Sequence, residues 1–358
     1  MENLKYASHL IKEIISKNIS CKVKLVVLDL GCSGGPDHIF VDLNNLEEFI
    51  EYYGYDFNDE EIKRLSTVYP SNFKFYSKKI VTERKIENDQ RWWNDFSAGQ
   101  ASSEADIRKY SVSEIQENNF WNSDLVNKSK EEINLKEILE KIEFDVNVLK
   151  IDLDGPDYAI LQDYFAIEKK PPQFVSLEVN FQGGGDSELN TFHNTDRFMK
   201  NLGYNLMAIS NRTYSNKKLP SMFQYNIFAQ TIRGIPFQGD ALYYKTSFYK
   251  SADELIRDVV LLDAFKLEDQ AANILIANSK LIDSEERTLL LNTLTREVWG
   301  DKFKSYYDLM KTWEENKVNF FPELPILSSD ITTDYSQISF KKLLKILVTK
   351  IYKNIVNS

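Results

Sequence analysis

Cysteine is scarce in this chain. Cys21 and Cys32 are its only two, too few for a disulfide framework, and no charged-then-apolar leader precedes the first amphipathic segment. Together these predict a reducing cytoplasm. Excess positive charge is absent as well: 44 Lys and Arg face 54 Asp and Glu, a net charge of −10. Nucleic-acid affinity rests largely on Lys and Arg neutralising phosphates, so nucleic acid is not an expected partner. A G-x-G-x-x-G turn is missing too, which removes the usual cradle for a dinucleotide pyrophosphate at a helix N-terminus. What is present is a chain of 358 residues, 42% apolar and 13% aromatic, enough for a large core and about two domains.

The most informative stretch is Val26-Val27-Leu28-Asp29-Leu30-Gly31-Cys32-Ser33-Gly34-Gly35. Strand-type apolar residues run into an acid and at once into a turn of small residues, the way a buried parallel strand ends at a ligand site. Gly31, Gly34 and Gly35 permit positive φ and a close approach of backbone to ligand. Pro36 stands where a phosphate-binding turn would want a free N–H. The loop resembles motif I of S-adenosylmethionine-dependent methyltransferases, whose cofactor carries no phosphate. Residues 45–53 then read as a helix and 53–58 as a second strand ending in Asp56, the place where doubly wound sheets put a ribose-binding acid. The other reading of Asp56 or Asn58 is a cap for the helix that begins near Glu60.

Residues 73–81 read as a third strand. From about 82 to 130 the strand-helix rhythm stops, and three of the five tryptophans fall there, in Arg91-Trp92-Trp93 and Phe120-Trp121. So long a connection is usually functional. It is either a lid or substrate-facing insertion, whose rings would stack on the C–H faces of sugars, or a satellite hydrophobic cluster. Two further strands end in acid: residues 144–151 deliver Asp152 and Asp154, and Phe174 to Asn180 carries Glu178. Open α/β sheets bind ligands at that carboxyl edge.

At Leu149-Lys150-Ile151-Asp152-Leu153-Asp154-Gly155 the chain resembles the FkbM family of S-adenosylmethionine-dependent O-methyltransferases. Their signature after the fourth strand is Leu-Lys-Ile-Asp-hydrophobic-Glu-Gly; Asp154 here replaces the usual Glu. Leu135 to Leu139, Leu161, Leu177 to Asn180 and Leu202-Gly203-Tyr204 extend the resemblance over roughly residues 20–235. It implies an α/β fold, the class I methyltransferase (Rossmann-like) seven-stranded, mostly parallel sheet with one antiparallel strand. Residues 205–209 and 222–229 would be the last two strands. It also implies S-adenosyl-L-methionine as cofactor and a hydroxyl as acceptor, by family habit on a sugar of a surface polysaccharide or of its nucleotide- or lipid-linked precursor.

On this reading Asp29, Gly31, Ser33, Gly34, Asp56 and Phe57 hold the cofactor, and Asp152, Glu178 and His193 form the catalytic set. Orientation of two bound reactants is worth effective molarities of ~10⁵ M or more, a positioned base only ~10²–10⁴-fold, so positioning should dominate. Asp152, Asp154, Glu178 and Asn180 are also hard oxygen donors suited to a divalent cation. The same carboxylates would otherwise hold the methionine ammonium or cap helices.

The domain plan that follows is an N-terminal helix in 1–20, the methyltransferase domain in 21–240, a helical appendage in 241–321, a linker in 322–337 and a basic helix in 338–358. The appendage either packs on the sheet or makes a dimer contact. In the last segment Lys341, Lys342, Lys345, Lys350 and Lys353 stand without any acid, and Leu344, Leu347, Val348, Ile351 and Ile355 share one helical face. Too charged to span, it would lie on an anionic bilayer at the inner membrane face or dock on its own acidic domain. Two other function classes compete: a nicotinamide-dependent oxidoreductase, which the missing dinucleotide turn disfavours, and a non-catalytic glycan-binding scaffold, which the intact acid-edged loop disfavours.

Overall fold

The computed structural model describes residues 9–17, 23–44, 49–84, 131–153, 155–167, 170–182, 190–216, 218–222, 230–246 and 248–315. The aromatic insertion between 85 and 130, Asp154, the linker and the basic helix 338–358 lie outside them. The chain divides into two compact units, residues 1–298 and 299–358. In the second, Tyr306–Glu315 is helical.

The first unit is built on one sheet. β1 (Leu25–Leu30) is buried along its whole length, as an apolar strand covered on both faces must be. It pairs in parallel with β2 (Ile50–Asp56) on one side and β6 (Val148–Ile151) on the other. β3 (Phe73–Ser77) lies outside β2, and β7 (Phe174–Asn180) outside β6, both parallel. β10 (Ile235–Tyr244) is antiparallel to β7 and to β8 (Asn205–Ile209). The order is β3-β2-β1-β6-β7-β10-β8, and β9 (Arg212–Tyr214) pairs with the first part of β10. Eight strands thus fill seven places, because the outer edge strand is broken into β8 and β9. The expected class I methyltransferase sheet with a single reversed strand is present.

Helices cover both faces. On one, α4 (Leu135–Glu140), α5 (Asp157–Ala166) and α6 (Phe192–Asn201) set Ile138, Leu139, Ile160, Leu161, Tyr164 and Met199 against Val26, Leu28, Leu30, Leu149, Ile151 and Val175. On the other, Phe40 of α2 (His38–Leu43) lies beside Tyr52. Phe265, just past α7 (Ala252–Ala264), stacks on Phe174 with centroids 5.2 Å apart. Ser251 caps α7 by accepting from the Glu254 N–H at 3.3 Å, as its sequence predicts. The first helix described is α1 (His9–Lys17), and α3 (Asp59–Val68) follows β2.

The strand antiparallel to β7 is 235–244; of the stretch read as a last strand, residues 223–229 lie outside the described residues. Two expectations are corrected. The second strand starts at Ile50, inside the stretch read as helical; the helix is the short α2 before it. Parallel pairing of Ile50, Tyr52 and Tyr53 inside the sheet outweighs the helical spacing read there. The strand read over 73–81 is split: β3 ends at Ser77, and β4 (Lys79–Ile80) pairs with β5 (Glu132–Ile133). That small ladder holds together the two ends of the aromatic insertion. Among the described residues no helix is long and apolar enough to cross a membrane.

Candidate active site

The glycine turn folds over the carboxyl ends of β2 and β6. The Gly31 N–H donates to the Tyr55 carbonyl at 2.8 Å, and the Asp152 N–H donates to the Leu30 carbonyl at 2.8 Å. Gly31 has φ of 95°, and a Cβ there would overlap the Asp152 carbonyl. Only glycine lets the two strand exits meet. The Ser33 N–H donates to Asp56 Oδ2 at 3.1 Å, and the Asn58 N–H to Asp56 Oδ1 at 2.8 Å. Asn58 Oδ1 in turn accepts from the Glu61 N–H at 3.2 Å and caps α3. The two readings of this stretch therefore divide between the residues: Asn58 is the cap, and Asp56 clamps the turn. Burial pushes the Asp56 carboxyl up, against two backbone N–H bonds that lower it. Phe57 follows, half-buried.

The tip of the turn is braced by Glu61, whose Oε1 accepts from the Gly34 N–H at 3.2 Å. Gly34 itself is exposed, with φ of 88° and nothing within 4 Å of where a Cβ would stand. Below, Cys32 is fully buried against Ile62 and Leu65. Gly54 makes room for it, since a Cβ there would come within 2.8 Å of the Cys32 sulfur.

Asp29 is not at the open rim. It is 0% exposed, and its Oδ2 accepts from the Tyr52 hydroxyl and from Lys150 Nζ at 3.3 Å. Burial pushes its carboxyl up, against the lowering influence of Lys150 and Tyr52. For Lys150, burial is outweighed by Asp29, Asp37 and Asp152, so the ammonium is held above its ordinary range. Asp29, which the sequence suggested for the cofactor, is thus half of a buried ion pair.

Of the remaining predicted site residues, Asp152 and Glu178 lie at or just beyond the ends of β6 and β7. Asp152 is half-buried, the first residue after β6. Its loop is organised by Asp157, fully buried at the start of α5, which accepts from the Leu153 N–H (2.9 Å), the Gly155 N–H (2.9 Å) and Asn190 Nδ2 (3.2 Å). Asn180 Nδ2 donates to the Asn190 carbonyl at 3.2 Å and ties the end of β7 to the same loop. Glu178 is buried and ion-paired to Arg212 of β9 at 2.6 Å, and Arg212 reaches Asp240 of β10 at 3.1 Å. His193 is exposed on the first turn of α6. No described hydrogen bond joins it to Asp152 or Glu178.

Sheet order and backbone contacts therefore bring Gly31, Ser33, Gly34, Asp56 and Asp152 to one rim, with Glu178 one strand further along. Of the oxygen donors that the sequence offers a cation, Glu178 is ion-paired to a guanidinium and Asp154 lies outside the described residues. Among the described residues no group of three or more His, Cys, Asp or Glu could hold a metal. Four residues that shape the site escaped the sequence reading. Lys150 stands in the quoted signature, two residues before Asp152, and Asp157 follows two residues after its end. Glu61 and Arg212 act across the fold, and nothing in their spacing marks them.

Several solved structures are similar to this chain at low identity. A putative methyltransferase from Thermoplasma acidophilum is 9% identical, with a TM-score of 0.29 over 66% of this chain and 75% of that one. An rRNA methylase from Streptococcus thermophilus is 8% identical, with a TM-score of 0.28 over 67% and 96%. An O-methyltransferase from Bacillus cereus, solved in complex with SAH, is 9% identical, with a TM-score of 0.27 over 69% and 91%. No curated protein matches the chain. Residues 81–206, which contain the Asp152 loop and the end of β7, match the family model described as the methyltransferase FkbM domain.

Proposed function

We propose that the protein transfers a methyl group from S-adenosylmethionine to a hydroxyl of a sugar, in a surface polysaccharide or in its nucleotide- or lipid-linked precursor. The observation that carries the reading is the shared rim: the turn clamped by Asp56 and the half-buried Asp152 meet backbone to backbone at Gly31. The residues fit the cofactor. Residues 31–36 contain no Lys or Arg that would seek a phosphate, the space beyond Gly34 is open, and each Asp56 oxygen has a lone pair left after its one backbone bond.

The cofactor supplies an electrophilic methyl group on a positively charged sulfur. In this reading Asp56 accepts from ribose hydroxyls, and the turn lies against the nucleoside with Phe57 beside it. Asp152 receives the acceptor hydroxyl and orients it in line, with orientation as the larger contribution. Glu178, held by Arg212, fixes the wall of the acceptor side, and His193 is the candidate to carry the proton to solvent. The aromatic insertion whose ends are joined by β4 and β5 would receive the sugar. The segment 338–358 would hold the enzyme at the inner membrane face; deletion of 338–358 should then lower recovery in the membrane fraction.

The test is a melting shift with S-adenosylhomocysteine, in the parent and in Asp56→Ala. A shift of several degrees in the parent, lost or reduced in the variant, is expected. No shift with S-adenosylhomocysteine, together with one from NAD, would replace the reading with an oxidoreductase. Transfer of labelled methyl to glycan extracts from cells lacking the protein, abolished by Asp152→Ala, checks acceptor class.

A further inference from the structure

Between Asp196 and Asp240 the chain has no acid at all, while Arg197, Lys200, Arg212, Lys217, Lys218 and Arg233 fall in that interval. In a chain of net charge −10 this makes one basic island, with the remainder more acidic than the whole. Arg197 and Lys200 lie on α6, Arg212 on the edge strand β9, and Lys218 and Arg233 in the described segments beyond it. Lys200 is spent on Asp196, and Arg212 on Glu178 and Asp240. Among the described residues, the side chains of Lys218 and Arg233 have no ion pair and are exposed.

Beside those two cations stand four exposed aliphatic residues. Leu219 is 84% exposed, Met222 73%, Ile232 52% and Ile235 39%. Backbone bonds gather them: the Ile232 N–H donates to the Met222 carbonyl at 2.9 Å, the Ser221 N–H to Ser215 Oγ at 2.9 Å, and Ile235 pairs with Tyr214. Four neighbouring aliphatic side chains in water are unusual without a partner. A soluble polyanion would engage Lys218 and Arg233 but leave Leu219 and Met222 wet. A bilayer with anionic headgroups satisfies both, phosphates taking the bases and the acyl boundary the aliphatic tips.

We propose that Lys218, Leu219, Met222, Ile232, Arg233 and Ile235 form a membrane-docking surface for an anionic bilayer. It is distinct from residues 338–358 and independent of the methyl-transfer reading. Its place has a consequence for that reading: the strand leading into it carries Arg212, which holds Glu178, so docking would turn the acceptor side toward the lipid surface.

The test uses the full chain and vesicles of phosphatidylcholine with or without phosphatidylglycerol. The parent should co-sediment with the mixed vesicles and not with neutral ones. Leu219→Asp/Met222→Asp and Lys218→Glu/Arg233→Glu should each weaken this by about tenfold or more, with melting temperature and S-adenosylhomocysteine shift unchanged. Because 338–358 could hold vesicles by itself, a local readout decides: a polarity-sensitive dye on Leu219→Cys, corrected for labelling of the parent, should shift to the blue when mixed vesicles are added. No blue shift, or binding that falls with the charge variants but is indifferent to the aspartates, would overturn the proposal; the latter would mark a polyanion site. Loss of the S-adenosylhomocysteine shift in the parent would fall on the enzymatic reading alone.

Discussion

Gly31 and Gly34 share a backbone conformation and differ in surroundings, which separates two costs of replacing them. At Gly34 a methyl meets nothing, so Gly34→Ala should cost only the positive-φ strain, about 1–2 kcal/mol. At Gly31 the methyl also overlaps the Asp152 carbonyl, and Gly31→Ala should cost about 3 kcal/mol or more. Urea unfolding of the two variants checks the order. The buried Asp29–Lys150 pair gives a second test. Removing either partner strands the other charge away from water, so Asp29→Ala and Lys150→Ala should each lose about 3–5 kcal/mol, and Asp29→Ala/Lys150→Ala much less than their sum. An additive cycle would mean that the pair carries no coupling.

At the scale of elements, α3 is what joins stability to the turn. Its Glu61 holds the Gly34 N–H, and its carboxyl lies below the ordinary range because Arg64 donates to it, with burial opposing. A carboxyl depressed on folding supplies stability above its unfolded pKa of ~4.3 and loses it as pH falls through the lower folded value. Parent and Glu61→Gln should therefore differ in melting temperature at pH 7 and converge by roughly pH 3. The variant should also show a smaller S-adenosylhomocysteine shift at pH 7. Legibility was uneven at this scale. β1 was plain because six successive buried residues need no partner to be recognised. β10 was not: Ile235-Pro236-Phe237-Gln238-Gly239 reads as a turn-rich stretch, and it becomes a strand because β7, β8 and β9 all offer it hydrogen bonds. Gly239 is required there, since a Cβ would collide with the Ser210 carbonyl of the broken edge.

For the whole molecule, residues 1–298 form one compact unit that contains the sheet, both helical layers and every candidate site residue. A chain ending at Val298 should therefore keep a single cooperative melt and its S-adenosylhomocysteine shift. Loss of the shift in a truncated chain that still melts cooperatively would place part of the binding machinery beyond residue 298.

The sequence by itself determined the strand-to-acid junctions at 29, 152 and 178, the glycine turn and the family signature, because each is local: an apolar run, an acid and small residues adjacent in the chain. Tertiary structure alone decided what those acids do. Asp29 is withdrawn into an ion pair by a lysine 121 positions away, Glu178 is claimed by an arginine from the edge strand, and Asp56 clamps the turn across 23. A carboxylate's role is set by what stands within about 3 Å of it, and that neighbour is chosen by sheet order, which no local spacing encodes.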